Sequence, residues 1–401
     1  MSEVKFLAKS QAKTTAYVMH TIMTNVRVSN RRFTLQPNFY THLDSLKSFF
    51  SADDKVKMGI KKRDFGGRYM IGMILCGGHG KRFRPLTEKI PKGLLEIKKN
   101  YTILDRQLFA YKSAGFDKVF MLTGHLGKKI EKRYGSKHKG MKIGYIMEEK
   151  PLGTLNAIRL GMKVAKSDAM VSNGDVVADV NLKRMAQEFK ASGCSASMFV
   201  VRMRSPYGIV VLGDRYIKSF EEKPVLGHYI NGGFYCISKE VLGLLEKFKV
   251  GDVEKTAFPR LAEMKKLTYY KEDVPFWMAI DSMKDLETVK KEYENRTDKP
   301  WGYEKLLSLT KKGMEKELYI MAGYKTSFHY HKLRDETLNI VHGAGYVEFE
   351  GRREKFKEGS AIPIKPGTPH TIVATENTLI REVSTPHPED VVRIKDFYEV
   401  R

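Results

Sequence analysis

The sequence has little cysteine and no long apolar run. Its 401 residues include three cysteines, Cys76, Cys194 and Cys236, which lie far apart. Such spacing argues against a disulfide framework or a zinc–cysteine site and predicts a reducing, cytoplasmic location. No apolar run reaches the roughly 20 residues needed to span a bilayer. The N-terminal lysines are not followed by the apolar stretch of a secretory signal. We therefore expect neither export nor a membrane span.

Acidic residues are also few relative to basic ones. The chain has 47 Asp and Glu against 71 Lys and Arg, which gives a formal net charge of +24. Nucleic acid, an anionic membrane surface and phosphorylated small molecules would all be attracted to such a field. The basic residues are spread along the chain, which favours small phosphorylated ligands or a solvated surface over nucleic acid. We expect no nucleic-acid partner.

The apolar pattern divides the chain into three parts. Residues 1–69 carry thirteen Lys or Arg and five Asp or Glu, show no sustained period and are predicted to be a basic N-terminal extension. Either an upstream extension without a function or a basic tether fits it. Residues 70–297 alternate strands with helices, which is typical of a mostly parallel sheet with helices on both faces. After a polar linker, NRTDKPWGY, residues 298–401 show short, evenly spaced strands that predict an all-β barrel or jelly roll.

The middle part gives the clearest element predictions, and ligands of such sheets bind beyond the carboxyl ends of the strands. The predicted strands are Met70–Cys76, Lys118–Thr123 and Ala169–Ser172. The predicted helices are Ile103–Ala114, Thr154–Ala165 and Leu182–Ala191.

A glycine-rich stretch follows the first predicted strand. Gly77, Gly78 and Gly80 lack a Cβ atom, so their backbone N–H groups can approach a phosphate closely. Arg82 and Lys92 add positive charge within the same stretch. A tight strand-to-helix turn would explain the glycines alone, but the glycines and cations together indicate a loop that grips phosphate.

This stretch resembles the signature of the sugar-1-phosphate nucleotidyltransferases, which reads G-G-x-G-T-R-L-x-P-L-T followed by P-K. The chain reads G-G-H-G-K-R-F-R-P-L-T, so Lys81 replaces the usual Thr or Ser and adds charge to the nucleotide loop. The resemblance implies a Rossmann-like sheet and a loop that binds the nucleotide. It also implies that Arg82 binds the triphosphate and stabilises the transition state, and that Lys92 contacts phosphate at the reacting centre.

Further motifs continue the resemblance in the family's order over roughly Met70 to Tyr293. EEKPLGT implies a nucleotide-binding Gly153 close to the base, and SNGD implies that Gly174 contacts the nucleotide and that Asp175 holds Mg²⁺. The positions that match the sugar and sugar-phosphate pocket are Gly208, Glu222, Lys223 and Asn231.

The second magnesium ligand departs from the commonest pattern. Much of the family reads W-x-D-x-G, but this chain reads WMAIDSMKD, with Ala279 in the place of that Asp. A subgroup that includes glucose-1-phosphate cytidylyltransferases reads W-x-x-M-D-T-x-R-D, and this match makes Asp281 the ligand. The alternative is that Asp281 is an ordinary helix N-cap. A triphosphate substrate needs a hard cation on oxygen ligands, which favours the metal role.

Histidines mark the C-terminal part. His329 and His331 lie two residues apart, so on a strand they would point to the same side. Glu336 follows closely, and His370 comes after a later turn. Three histidines and one carboxylate suit one divalent transition metal such as zinc, iron or manganese.

The same part resembles the cupin fold, and more narrowly the C-terminal cupin of bifunctional mannose-1-phosphate guanylyltransferase/mannose-6-phosphate isomerases. One motif of that cupin reads S-x-Q-x-H-x-x-R-x-E, and here His329 stands in place of the Gln. The resemblance implies isomerisation of a sugar phosphate, and a non-catalytic binding or dimerisation module is the alternative. The matching positions are Pro300–Gly302, Ser327, His331, Arg334, Glu336, Glu382, Glu389, Asp390, Arg393, Asp396 and Tyr398.

Together the two resemblances predict an enzyme that transfers a nucleotidyl group from an NTP to a hexose-1-phosphate and releases pyrophosphate. The cupin favours mannose-1-phosphate and GTP, while the subgroup match leaves cytidylyl, thymidylyl or uridylyl transfer to glucose-1-phosphate open, with a non-catalytic metal-binding cupin. A regulatory sugar-nucleotide-binding protein is a further alternative, although it would be expected to lose Arg82, Lys92 or Asp175. We expect a homo-oligomer.

Overall fold

The computed structural model describes residues 70–398, all within one compact unit. The predicted basic extension at 1–69 lies outside these described residues. Within them, no helix is long and apolar enough to cross a membrane.

Strands and helices alternate through the first part of the described chain. The strands are β1 (Met70–Leu75), β2 (Glu96–Lys98), β3 (Tyr101–Thr102), β4 (Lys118–Thr123), β5 (Lys137–His138), β6 (Met141–Met147), β7 (Asp168–Asn173), β8 (Val176–Ala178), β9 (Ala196–Arg204), β10 (Ile209–Leu212), β11 (Ile217–Glu221), β12 (Val225–Ile237), β13 (Leu267–Lys271) and β14 (Trp277–Ala279). The α-helices are α1 (Leu86–Lys89), α2 (Ile103–Ser113), α3 (Gly127–Tyr134), α4 (Thr154–Ala165), α5 (Leu182–Ser192), α6 (Leu242–Leu245), α7 (Ala257–Glu263) and α8 (Met283–Tyr293). Short 3₁₀ turns occupy Lys81–Phe83, Lys92–Leu94 and Lys239–Val241.

Eight of these strands form one sheet in the order β13–β9–β12–β7–β1–β4–β6–β5. The pairs β7–β1, β1–β4, β4–β6 and β9–β13 are parallel, while β12 and β5 run antiparallel to their neighbours. Helix α4 buries Leu155, Ile158 and Met162 on one face of the sheet, and α2 buries its apolar residues in the cluster on the other. The predicted mostly parallel α/β sheet with helices on both faces is confirmed.

The predicted elements agree with the structure to within one or two residues. Helix α4 and strand β4 have the predicted bounds, and β1 ends one residue earlier than predicted. Helix α2 begins at a capping box, in which the Thr102 hydroxyl accepts from the Asp105 N–H and Asp105 accepts from the Thr102 N–H. This cap fixes the start of the helix by satisfying N–H groups that have no partner within it.

The remaining described residues, 296–398, form antiparallel sheets without an α-helix, as predicted. Their strands are β15 (Arg296–Lys299), β16 (Gly302–Leu309), β17 (Met314–Ile320), β18 (Phe328–Tyr330), β19 (Glu336–His342), β20 (Ala344–Phe349), β21 (Arg352–Lys357), β22 (Ala361–Ile364), β23 (His370–Ala374), β24 (Thr378–Ser384) and β25 (Val392–Lys395). One sheet has the order β15–β16–β17–β24–β19–β22 and the other β21–β20–β23–β18–β25. Side chains from both, including Ile340 and Ile372, share one apolar core.

The segment predicted to be a linker is instead part of a sheet. Strand β15 pairs with β16, and the side chain of Arg296 is fully buried. Its guanidinium contacts Asp179 and Asp298, and both carboxylates also contact Arg106 of α2. Burial alone would raise the pKa of Asp298, but Arg106 and Arg296 lower it below its ordinary value. Paired charges thus make a polar segment compatible with burial.

Candidate functional site

The glycine loop leaves β1 at the carboxyl edge of the parallel strands. Gly80 has φ +59°, in the left-handed region, and a Cβ atom there would lie 2.9 Å from Cγ2 of Thr87. The Thr87 hydroxyl donates a hydrogen bond of 2.8 Å to the Gly80 carbonyl. Thr87 of the motif therefore holds the turn, and Gly80 suits it because glycine adopts positive φ without strain.

Four charged side chains of the predicted site meet at this edge. The Nζ of Lys92 lies 2.7 Å from Oδ2 of Asp175 and 3.6 Å from Oδ1 of Asp281. Nη2 of Arg82 lies 3.0 Å from the same Asp281 oxygen. The Arg82 side chain is 71% exposed and is therefore accessible to a ligand, whereas that of Lys92 is only 15% exposed. The structure thus brings both predicted cations and both predicted magnesium ligands together.

Asp281 is not the cap of the helix that follows it. Ser282 occupies the N-cap of α8 and forms a capping box with Asp285. The Asp281 carboxylate is left to face Arg82 and Lys92, and the backbone N–H of Ile280 donates to the Asp175 carbonyl at 2.9 Å. The N-cap alternative for Asp281 is therefore wrong.

Gln107 is a residue of this site that sequence reasoning missed. Its side-chain amide donates to the carbonyls of Asn173 and Val176 at 2.7 and 2.8 Å, and it accepts from the hydroxyl of Ser172 at 2.9 Å. Gln107 is 3% exposed, so these bonds are shielded from water. It bridges the turn that carries Asp175 by bonding to the backbone on both sides of that residue.

We predict that Gln107→Leu raises the Mg²⁺ concentration for half-maximal activity by about 10-fold or more, as loss of a group that orients a metal ligand does elsewhere. The change leaves two buried carbonyls without a donor. A Mg²⁺ titration of pyrophosphate release measures the effect.

Tyr111→Phe is the matched control, because Tyr111 lies on the same helix and donates to carbonyls of β1 and β7 within the strands. It should cost stability without moving the Mg²⁺ dependence. Equal Mg²⁺ dependence in Gln107→Leu and wild type would contradict a positioning role.

The predicted base-reading segment begins α4. Gly153 has φ +92°, and a Cβ atom there would lie 2.2 Å from the carbonyl oxygen of Gly251. The N–H of Leu155 donates to the same carbonyl at 3.2 Å. Backbone thus packs directly on backbone at Gly153, which only glycine permits.

The predicted sugar-pocket residues lie on two stretches. Gly208 adjoins Glu222, whose Oε2 would lie 3.0 Å from a Cβ at Gly208, and Glu222 pairs with Lys223 at 3.2 Å. Asn231 lies further along, inside β12, where it donates to the Tyr235 hydroxyl at 2.7 Å and accepts from the Gly233 N–H at 2.9 Å.

Asn173 is a second residue that sequence reasoning missed. It ends β7, immediately before Gly174 and Asp175, and its Oδ1 atom is buried without a hydrogen-bond partner among the described residues. Its Nδ2 would lie 3.3 Å from a Cβ at Gly233, so Asn173 faces the Asn231–Gly233 stretch. Its position beside the SNGD aspartate was the available signal. A buried unpaired acceptor here is suited to a hydroxyl donor from a ligand.

The three predicted histidines converge in the C-terminal part. Ring nitrogens of His329, His331 and His370 all lie within 4.8 Å of one another. The Nδ1 of each faces a backbone carbonyl, that of Ser327, Asp390 and Thr368 respectively. Because Nδ1 then carries the proton, the Nε2 lone pairs are left for a metal. Burial, followed by His370, lowers the pKa of His329 to about 3, which keeps the ring neutral.

Glu336 completes this cluster. Its Oε2 lies 3.3 Å from Nε2 of His331, and its Oε1 lies 3.2 Å from Nε2 of His370. With Nδ1 protonated, each Nε2 is an acceptor that faces another acceptor, and Oε2 is buried without a hydrogen-bond donor. A cation between these atoms would satisfy all of them. The donor set therefore fits a divalent transition metal, as predicted from the sequence.

Asp390 contacts one of the three histidines and the backbone beside it. The Asp390 carboxylate accepts from the backbone N–H groups of Lys332, Leu333 and Arg334, while its carbonyl accepts from His331. These N–H donors outweigh desolvation and lower the pKa of Asp390 to about 2. The C-terminal run picked out from the sequence thus orients one of the histidines.

Known proteins similar to this chain share the transferase part. The nucleotidyl transferase family model matches residues 71–296. A mannose-1-phosphate guanyltransferase of Candida albicans is 35% identical over 235 residues, which are 54% of this chain and 62% of that protein. Mannose-1-phosphate guanylyltransferase catalytic subunit beta of Drosophila pseudoobscura pseudoobscura is 33% identical over 226 residues, 54% of this chain and 60% of that protein. The structure of a UDP-glucose pyrophosphorylase complexed with UDP-glucose covers 56% of this chain and 98% of its own, with 17% identity and a TM-score of 0.46.

The family match extends over more than half of the chain and contains the glycine loop and all four clustered charges. The chain belongs to the nucleotidyl transferase family. It spans about three fifths of the length of the curated relatives described above.

Proposed function

We propose that the chain is a sugar-1-phosphate nucleotidyltransferase, and that its substrates are GTP and mannose-1-phosphate. The observation that carries the proposal is the cluster of Arg82, Lys92, Asp175 and Asp281 at the edge of the sheet. It combines fixed cations for phosphate with oxygen ligands for a hard divalent cation.

The reaction joins two anions. The phosphate oxygen of the sugar phosphate attacks the α-phosphorus of the nucleoside triphosphate, and pyrophosphate leaves. Catalysis of this kind rests on alignment and charge neutralisation, without a protein nucleophile. Asp175 and Asp281 would hold Mg²⁺, which supplies positive charge to the phosphates when bound. With Mg²⁺ on the two carboxylates, Arg82 and Lys92 would be left to bind the phosphates.

The choice of GTP and mannose-1-phosphate rests on the relatives. Two relatives named as mannose-1-phosphate guanyl- or guanylyltransferases are 33 and 35% identical to the chain across the transferase part. The cytidylyl-type spacing that places Asp281 after Ala279 supports transfer to glucose-1-phosphate as the second candidate. We further propose that the chain acts in the cytoplasm as a homo-oligomer.

A substrate panel tests this choice. Pyrophosphate release is measured with GTP, CTP, UTP or dTTP, each combined with mannose-1-phosphate or glucose-1-phosphate. The proposal expects the highest kcat/KM for GTP with mannose-1-phosphate. A higher value for another pair would transfer the assignment to that pair and leave the reaction class intact.

For the histidine cluster we propose a cupin metal centre. His329, His331, His370 and Glu336 would hold one divalent transition metal, which when bound polarises a carbonyl oxygen of a sugar phosphate. This chemistry fits interconversion of mannose-6-phosphate and fructose-6-phosphate. Conversion of one to the other by the full chain, lost on metal removal, tests it. If the chain binds the metal but does not catalyse this conversion, the centre has a non-catalytic role.

A further inference from the structure

A cavity of about 280 Å³ lies along the length of α2. Its walls come from α2, from the end of α3, from the turn between β5 and β6 and from the turn between β2 and β3. None of its lining residues belongs to the candidate active site or to the histidine cluster.

The cavity is positively charged. Lys112, Arg133 and Lys139 line it together with one carboxylate, Asp105. That carboxylate is already engaged, because it caps α2 and pairs with Arg133 at 2.8 Å. Neither Lys112 nor Lys139 forms an ion pair within the part of the chain that the structure describes. The surplus charge therefore has no internal partner there, and it is suited to an anion.

His138 also lines the cavity. Burial, and after it Lys139 and Arg133, lower its pKa below the ordinary value in spite of Asp105. Its ring packs edge-on to Tyr134, with the ring centroids 5.1 Å apart. Tyr101 and Phe109 add further aromatic wall. Aromatic walls beside free cations favour a ring-bearing phosphate ester, and the volume lies at the compact end of ligand pockets.

The cavity lies beside residues that contact the turn carrying Asp175. Asp105 is followed directly by Arg106 and by Gln107, whose amide bridges the turn that carries Asp175. On another wall, the Tyr101 hydroxyl donates to Asp298 at 2.8 Å, and Asp298 contacts Arg106. A ligand that draws Arg133 away from Asp105 would therefore alter the first turn of α2 and, through it, the magnesium turn.

We propose that this cavity is a regulatory site for a compact phosphate monoester, either a hexose phosphate or a nucleoside monophosphate, whose binding weakens Mg²⁺ use at the transferase site. The binding half of this inference stands by itself, and the regulatory half rests on the proposed transferase function.

Isothermal titration of the full chain with mannose-6-phosphate and, separately, with GMP tests the binding half. Lys112→Ala/Lys139→Ala should weaken binding of at least one of the two by about 10-fold or more, since two charged contacts are lost. The control Lys247→Ala/Lys249→Ala removes two exposed lysines elsewhere and should bind as wild type does. Equal affinity in the pocket variant and wild type for both ligands overturns the site.

A Mg²⁺ titration of pyrophosphate release tests the regulatory half. The ligand that binds should raise the Mg²⁺ concentration for half-maximal rate by about 5-fold or more in wild type, as allosteric coupling commonly does, and not in the pocket variant. Binding without this shift overturns the regulatory role. Absence of pyrophosphate release under all conditions would instead refute the transferase function and leave the binding result standing.

Discussion

Asp175→Asn and Arg82→Ala are each expected to lower kcat for pyrophosphate release by about 100- to 1,000-fold, the range found when one preorganised charge-stabilising group is removed. Asp175 sits 2.7 Å from Lys92, and Arg82 sits 3.0 Å from Asp281, so each change breaks the four-residue cluster. In Asp175→Asn the neutral amide also holds Mg²⁺ more weakly than a carboxylate. A coupled assay for pyrophosphate gives both rates.

Two controls separate loss of chemistry from loss of structure. Arg84→Ala removes a cation from the same loop that pairs only loosely with Glu88, at 3.9 Å. Asp117→Asn removes an exposed carboxylate remote from the glycine loop. Both should keep kcat within about 2-fold of wild type, because substitutions at such exposed positions usually have small effects. Near wild-type rates in Asp175→Asn or Arg82→Ala would show that the cluster is not the reacting centre.

The second large effect concerns the histidine cluster. The full chain, purified without chelator, should carry about one transition metal per chain, and His329→Ala/His331→Ala should carry almost none. The double change removes two of three neutral Nε2 donors and leaves Glu336 and His370, too few ligands for a stable site. Inductively coupled plasma mass spectrometry of both proteins measures the content and names the metal.

A matched double variant, His228→Ala/His342→Ala, removes two exposed histidines outside the cluster and should retain the metal. Metal content that is unchanged by His329→Ala/His331→Ala, or absent from the wild-type chain after incubation with zinc, iron and manganese, would reject the metal centre. Far-UV circular dichroism checks that each variant keeps its β structure.

Most of the fold could be predicted from short-range patterns in the sequence. Apolar runs and helical periodicity predicted β4 and α4 with their observed bounds. The residues of an element that face the core are apolar at a regular spacing, and this spacing can be read from the sequence. The glycine loop and the H-x-H pair were likewise local. Asp281 needed more, since its exclusion as a helix cap followed only from Ser282 occupying the N-cap of α8.

What the sequence concealed depends on contacts between distant residues. Gln107 reads as one polar residue of a helix, and its role follows only from strand β7 ending against α2, 66 residues further along the chain. Arg296 lies in a stretch whose composition is typical of a linker, yet it is buried because Asp179 and Asp298 neutralise it. The composition of a segment shows how many charges it carries. Whether a charged residue is buried depends on which oppositely charged residues the fold places beside it.

Label transfer tests the central claim most directly. The wild-type chain is incubated with Mg²⁺, mannose-1-phosphate and GTP labelled at either the α- or the γ-phosphate. We expect the α-label in a sugar nucleotide and the γ-label in pyrophosphate, each formed only when the sugar phosphate is present. Release of the γ-label as orthophosphate, or no transfer of the α-label with any nucleotide or sugar phosphate of the panel, would contradict the account.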